Sequence, residues 1–77
     1  MLRVKLDLEV SNYFLDNGDL TFPLAVEIYN LEFTNGKPTK GELIELLYNF
    51  YVWRIMDHVV VYRITGEIIT VQTVKPL

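Results

Sequence analysis

Few side chains in this chain are equipped for chemistry. His58 is the only histidine, it directly follows Asp57, and cysteine is absent. Zinc sites usually take several His or Cys ligands and the non-haem iron triad takes two histidines, so a metal would have to rest on carboxylates. An Asp57-His58 pair at a helix-to-strand junction is expected to serve the negative helix end instead. Ser11 is the only serine and has no nucleophile-elbow glycines around it, which leaves a hydroxyl nucleophile unsupported. Two carboxylates can share acid–base work. However, Asp7, Glu9, Asp16 and Asp19 fall where solvated strand and turn residues sit, and Glu42 and Glu45 belong to a helix start. No catalytic residue, cofactor or metal is expected.

Two other groups of residues carry weaker signals. Gly36-Lys37-Pro38-Thr39-Lys40-Gly41 sets glycines, lysines and a hydroxyl ahead of a helix, where an anion can be held. It lacks the Walker spacing, and a flexible loop followed by a cap accounts for every residue. Arg54 is expected in the middle of a core-facing helix side, with its stem on apolar surface and its head in water, or paired with Asp57 one turn on or with a strand carboxylate. A site built from Arg54, Asp57, His58 and Arg63 would need all four to converge on one cavity.

The elements that position these residues follow from periodicity. Lys40–His58, KGELIELLYNFYVWRIMDH, is predicted to be the one helix. Thr39 and Glu42 have the capping-box spacing, and Pro38 disfavours an earlier start. At 3.6 residues per turn Leu43, Ile44, Leu47, Phe50, Tyr51 and Ile55 share one side, with Glu42, Glu45 and Asn49 opposite. Past Asn49 the polar side becomes Val52, Trp53 and Met56, beside Leu46. A helix apolar all round needs cover on both sides. Either the long loops fold over Trp53 and Met56, or a partner does.

Leu2, Val4, Leu6, Leu8 and Val10 alternate with charged residues, which predicts a first strand. Asp16-Asn17-Gly18-Asp19 has turn chemistry. Leu20, Phe22, Leu24, Val26 and Ile28 then predict a second strand antiparallel to the first, an edge strand or one bulged at Pro23. A helix over Pro23–Leu31 is the alternative. His58–Thr65, apolar on both faces, predicts a central strand, and Gly66 reverses the chain into Glu67–Val74. The expected fold is α+β, in the order β-β-α-β-β: a four-stranded, mainly antiparallel sheet with one helix packed on one face.

Seventy-seven residues, 51% of them hydrophobic, make a single domain over residues 1–77 near the size at which a lone core is marginal and oligomerisation a common supplement. The start, MLRVKLDLEV, lacks the continuous apolar run of a secretory signal. No stretch reaches the ~18 apolar residues of a membrane span, so a cytoplasmic protein is the default expectation and a membrane partner is not expected. The net charge of −3, with the seven basic residues scattered, argues mildly against a duplex binder.

The function expected is a non-enzymatic protein–protein interaction module, a homo-oligomeric accessory or inhibitor protein with a dimer favoured, or one binding another protein. Its interface would be Leu46, Asn49, Val52, Trp53 and Met56 on the apolar helix face, since tryptophan-centred patches often carry hot spots. The alternative is a small single-stranded nucleic-acid-binding protein using Arg3, Lys5, Lys37 and Lys40 with Tyr13 and Phe33.

Overall fold

The computed structural model describes residues 1–77. The architecture is α+β, with one long helix against one face of a mixed five-stranded sheet. The elements are β1 (Arg3–Leu6), α1 (Leu8–Tyr29), a 3-10 turn (Asn30–Glu32), β2 (Glu42–Leu47), β3 (Phe50–Ile55), β4 (His58–Thr65) and β5 (Ile68–Pro76). Their order across the sheet is β1-β5-β4-β3-β2. Strands β2 to β5 form an antiparallel meander, and β1 pairs in parallel with β5.

The helix lies elsewhere than periodicity predicts. The stretch expected to be helical is the β2–β3 hairpin, closed by Tyr48 and by Asn49, whose φ of 57° favours asparagine or glycine. Its richness in aromatic and β-branched residues at Phe50–Ile55 suits a pleated surface. The excess of apolar residues on both helix sides then disappears, because strand alternation sends Tyr51, Trp53 and Ile55 to one face and Phe50, Val52 and Arg54 to the other. The expected second strand is instead helix, so the sheet has five strands and β1 finds its neighbour in β5.

Asp7 is the extended residue at which β1 ends and α1 begins, its carbonyl accepting the amides of Val10 and Ser11 at 3.0 Å. Non-helical angles at Gly18 (φ 2°, ψ −93°) break α1 into two segments. The break lies five residues ahead of Pro23, where the missing N–H and the ring's clash with the preceding turn disrupt a helix. Side chains satisfy the freed carbonyls: the Asn17 amide donates to Tyr13 O at 2.8 Å, and the buried Thr21 hydroxyl lies 3.3 Å from the carbonyls of Asn17 and Gly18.

Helix α1 packs on β5 and β1. The segment Phe33–Gly41 straps the rest of the same sheet face: Tyr62 O–H donates to Gly36 O at 2.7 Å, and Trp53 Nε1–H to Lys40 O at 2.8 Å. Between these covers lies the core of Val10, Leu24, Ile28, Leu31, Tyr51, Trp53, Ile55, Val60, Tyr62, Ile69, Val71 and Val74. Strict alternation in β5 would put Val74 opposite Val71. The register shifts between Val61 and Tyr62, where Val71 and Thr73 face consecutive residues of β4, and this bulge returns Val74 to the core.

Candidate functional site

The covered face leaves two surfaces without a partner. The first is the outer edge of β2. Of its six residues only Leu43 is even half-buried, and Ile44, Leu46 and Leu47 are 52%, 56% and 73% exposed. Leu46 is the extra residue where the β2–β3 register shifts between Glu45 and Leu47. Glu45 is turned to local use, its Oε2 accepting the Asn49 amide at 3.0 Å.

The opposite edge of the sheet is closed. Strand β1 has four residues, alternates with Arg3 and Lys5, and gives its Val4 amide to Glu32 Oε2 at 2.7 Å. Short length, charge and an occupied amide are the usual protections of an edge strand. Strand β2 is longer, with Ile44, Leu46 and Leu47 exposed and no side chain bonded to its amides, although it carries two charges, Glu42 and Glu45, and the register shift at Leu46.

The second surface is the open face of the sheet. Register and alternation place Ile44, Phe50, Val52, Arg54, Val59, Val61, Arg63, Ile68, Thr70, Thr73 and Lys75 on it, with Arg3 and Lys5 from β1. Arg63 lies over the Phe50 ring, 5.5 Å from its centroid, within cation–π range. A shallow groove of about 360 Å³ runs past Tyr48, Asn49, Arg63, Thr65 and Gly66 at one end of this face.

The five residues expected to form one interface are divided. Leu46 and Asn49 sit at the exposed hairpin end, Val52 is half-buried on the open face, and Met56 is in the β3–β4 turn. Trp53 is wholly buried in the core beneath this chain's own strap, so its indole is withdrawn from any partner. The loops do cover the tryptophan, one of the two outcomes the sequence allows, while Met56 remains 45% exposed.

The candidate chemistry is also dispersed. Arg54 and Arg63 share the open face four residues out of register, roughly 13 Å apart at the usual strand rise. No cavity joins them to Asp57 and His58. His58 instead bridges layers, with Nδ1 2.8 Å from Met56 O and Nε2 2.7 Å from the Tyr13 hydroxyl. The carbonyl accepts, so Nδ1 carries the hydrogen and Nε2 takes the Tyr13 O–H. No three His, Asp or Glu side chains gather closely enough to hold a metal ion. Burial, with the Tyr51 ring stacked 5.1 Å away, pushes the Tyr62 hydroxyl far above its ordinary range. Burial and the nearby Glu45 carboxylate raise that of Tyr51.

The nucleic-acid candidates divide as well. Arg3 and Lys5 are on the open face, whereas Lys37 and Lys40 belong to the strap, and Lys40 pairs with Glu27 at 3.6 Å. Tyr13 is held by His58 and Phe33 is exposed on the helix side. The β2 edge and the Phe50–Arg63 pair escape helical reasoning. The aromatic and β-branched run Phe50–Ile55, following Asn49, is the sequence feature that favours a strand there.

No helix is long and apolar enough to cross a membrane. No family model, curated protein or solved structure matches the chain.

Proposed function

We propose that the chain is a non-enzymatic protein-interaction module that works by strand addition at β2, the partner strand being β2 of a second copy. The observation that carries this reading is the contrast between the two sheet edges. One is short and capped by Glu32; the other is a six-residue strand with Ile44, Leu46 and Leu47 in water. An unpaired backbone edge is a template for another strand, and main-chain hydrogen bonds supply much of the affinity of such pairing.

Self-pairing suits the sequence of this edge. An antiparallel twofold centred on Ile44 sets isoleucine against isoleucine and Leu43 against Glu45, and no two carboxylates oppose each other. The two sheets then continue as one of ten strands, with both open faces on the same side. Burying the equivalent of two exposed aliphatic side chains per copy contributes about 3–6 kcal/mol before the cost of association.

Sedimentation equilibrium on the wild type and on Ile44→Asp tests the proposal. The wild type is expected to be dimeric in the micromolar range. The variant, which faces two carboxylates across the twofold, is expected to be monomeric with an unchanged circular dichroism spectrum. A wild type still monomeric at about 500 μM, a free energy of association weaker than about 4.5 kcal/mol, refutes strand pairing between copies, as does a dimer indifferent to Ile44→Asp.

A further inference from the structure

Charge is segregated between the two sides of the sheet. Of seven basic residues, Arg3, Lys5, Arg54, Arg63 and Lys75 project from the open face. Only Glu42 of the ten acidic residues shares it, opposite Arg54. Five cations against one carboxylate give this face +4, which leaves −7 on the remainder of a chain whose total is −3. The acidic groups are elsewhere: Asp7, Glu9, Asp16, Asp19, Glu27 and Glu32 along the helix layer, Glu45 on the helix side, and Asp57 and Glu67 in turns. Net charge alone conceals a basic surface.

That surface also carries aromatic rings. Phe50 is half-buried on it with the Arg63 guanidinium over the ring. Tyr48, 90% exposed, borders the groove that Arg63 also lines. Between the cations lie Val52, Val59, Val61, Thr70 and Thr73, none of them acidic.

We propose that the open sheet face binds single-stranded nucleic acid, with Tyr48 as the stacking platform and Arg63, Arg54, Lys5, Arg3 and Lys75 along the phosphates. A cationic sheet that also exposes rings is the combination by which single strands are held without sequence readout, because every base has a π-face and every nucleotide a phosphate. A duplex hides its base faces and would use only the cations. An acidic protein segment would use the charge but leave Tyr48 without a base to stack on. The assignment does not depend on pairing at β2.

Fluorescence anisotropy with labelled 12-nucleotide oligo(U) and oligo(dT) at 50 mM NaCl is the test, with unlabelled polyglutamate as competitor. The wild type is expected to bind both strands and to weaken as salt rises, with a log–log slope of about −3.5 for five phosphates. Arg54→Gln with Arg63→Gln should weaken binding about tenfold or more and flatten the slope by about 1.4. Tyr48→Ala should weaken it about fivefold or more with the slope unchanged. Lys37→Gln, on the helix side, should change nothing. Circular dichroism of each variant shows that the fold is retained, and Tyr48 and both arginines are exposed. A flat signal at 100 μM protein overturns the proposal. So does displacement by polyglutamate as effective as that by unlabelled oligo(U), which would reassign the face to an acidic protein. Equal losses from Lys37→Gln and the arginine pair overturn it too, since the binding would then be diffuse. Stronger binding of oligo(U) than oligo(dT) assigns the natural ligand to RNA, and the reverse to DNA; both support the proposal.

Discussion

Tyr62 has two roles at one position. Its ring stacks on Tyr51 and meets Trp53 edge-on at 6.3 Å, while its hydroxyl satisfies the buried carbonyl of Gly36. Tyr62→Phe keeps the ring but orphans that carbonyl, and is expected to cost about 1–3 kcal/mol in urea unfolding. The same hydroxyl sets an alkaline limit. An unfolded tyrosine loses its proton near pH 10, whereas burial keeps the native Tyr62, and to a lesser degree Tyr51, protonated well beyond that. Above pH 10 the unfolded state therefore binds fewer protons than the native one, and stability falls as pH rises. Below about pH 9 this contribution is constant. Urea midpoints between pH 8 and 11 should show the decline, and Tyr62→Phe should make it shallower. Met56 poses the opposite case. It takes φ 50° in the two-residue β3–β4 turn, next to Asp57 at 58°, where a long side chain is disfavoured and asparagine preferred. Met56→Asn retains the carbonyl that His58 uses and is expected to raise stability by about 0.5–1 kcal/mol, a few degrees in melting temperature.

The strap shows how one element depends on a close approach. Gly41 has φ 80°, and a Cβ there would fall against the Arg54 carbonyl and 2.8 Å from the indole nitrogen of Trp53. Gly66 has φ 60° with open space around it. Gly41→Ala should therefore cost about 2–4 kcal/mol and Gly66→Ala only about 1; the difference, measured by urea unfolding, isolates the crowding beneath the strap. The elements also explain what could be read in advance. The class α+β, one helix on one face, the last hairpin and the Arg3–Leu6 part of the first strand are legible, because β1, β4 and β5 alternate or are apolar throughout; the alternation running on through Leu8 and Val10 misleads, since both lie in α1. The helix is not legible. In Leu20–Ile28 a spacing of two is also a spacing of four at alternate positions. Leu24 and Ile28 point into the core while Phe22 and Val26 are in water, so strand and helix produce the same string. Asp16-Asn17-Gly18-Asp19 reads as a turn and Pro23 as an edge or bulged strand, although Thr21 and Asn17 make local side-chain bonds across the break in the helix. Conversely, Thr39 and Glu42 imitate a capped start, and β2 continues the pretence because it is too exposed to alternate cleanly. The candidate surfaces followed the misplaced helix: Leu46 and Asn49 stayed near an open edge, whereas Trp53, read as the centre of a patch, is the largest side chain in the core.

At the scale of the whole molecule, Trp53 is a built-in reporter. It is the only tryptophan and has no exposed surface, so its emission should be blue-shifted and resist acrylamide until the fold is lost. Dilution through any association range should leave quenching unchanged, since the ring belongs to this chain's own core rather than to a boundary between chains. Quenching that rises on dilution, with ellipticity constant, would contradict that placement. The sheet order has a further effect. Strand β1 leads the chain, yet the only strand beside it is β5, with Arg3 level with Ile68 and Leu6 with Val71. During synthesis the helix leaves the ribosome early, at roughly 5–20 residues per second, while the strand that must receive Val10, Leu24 and Ile28 is still being made. Until Ile68–Val74 emerges, those side chains have only the short β1 of their own chain to lie on. A nascent chain halted short of residue 68 should be a client for whatever chaperone scans the tunnel exit, and release of the last strand should end that dependence in a single step.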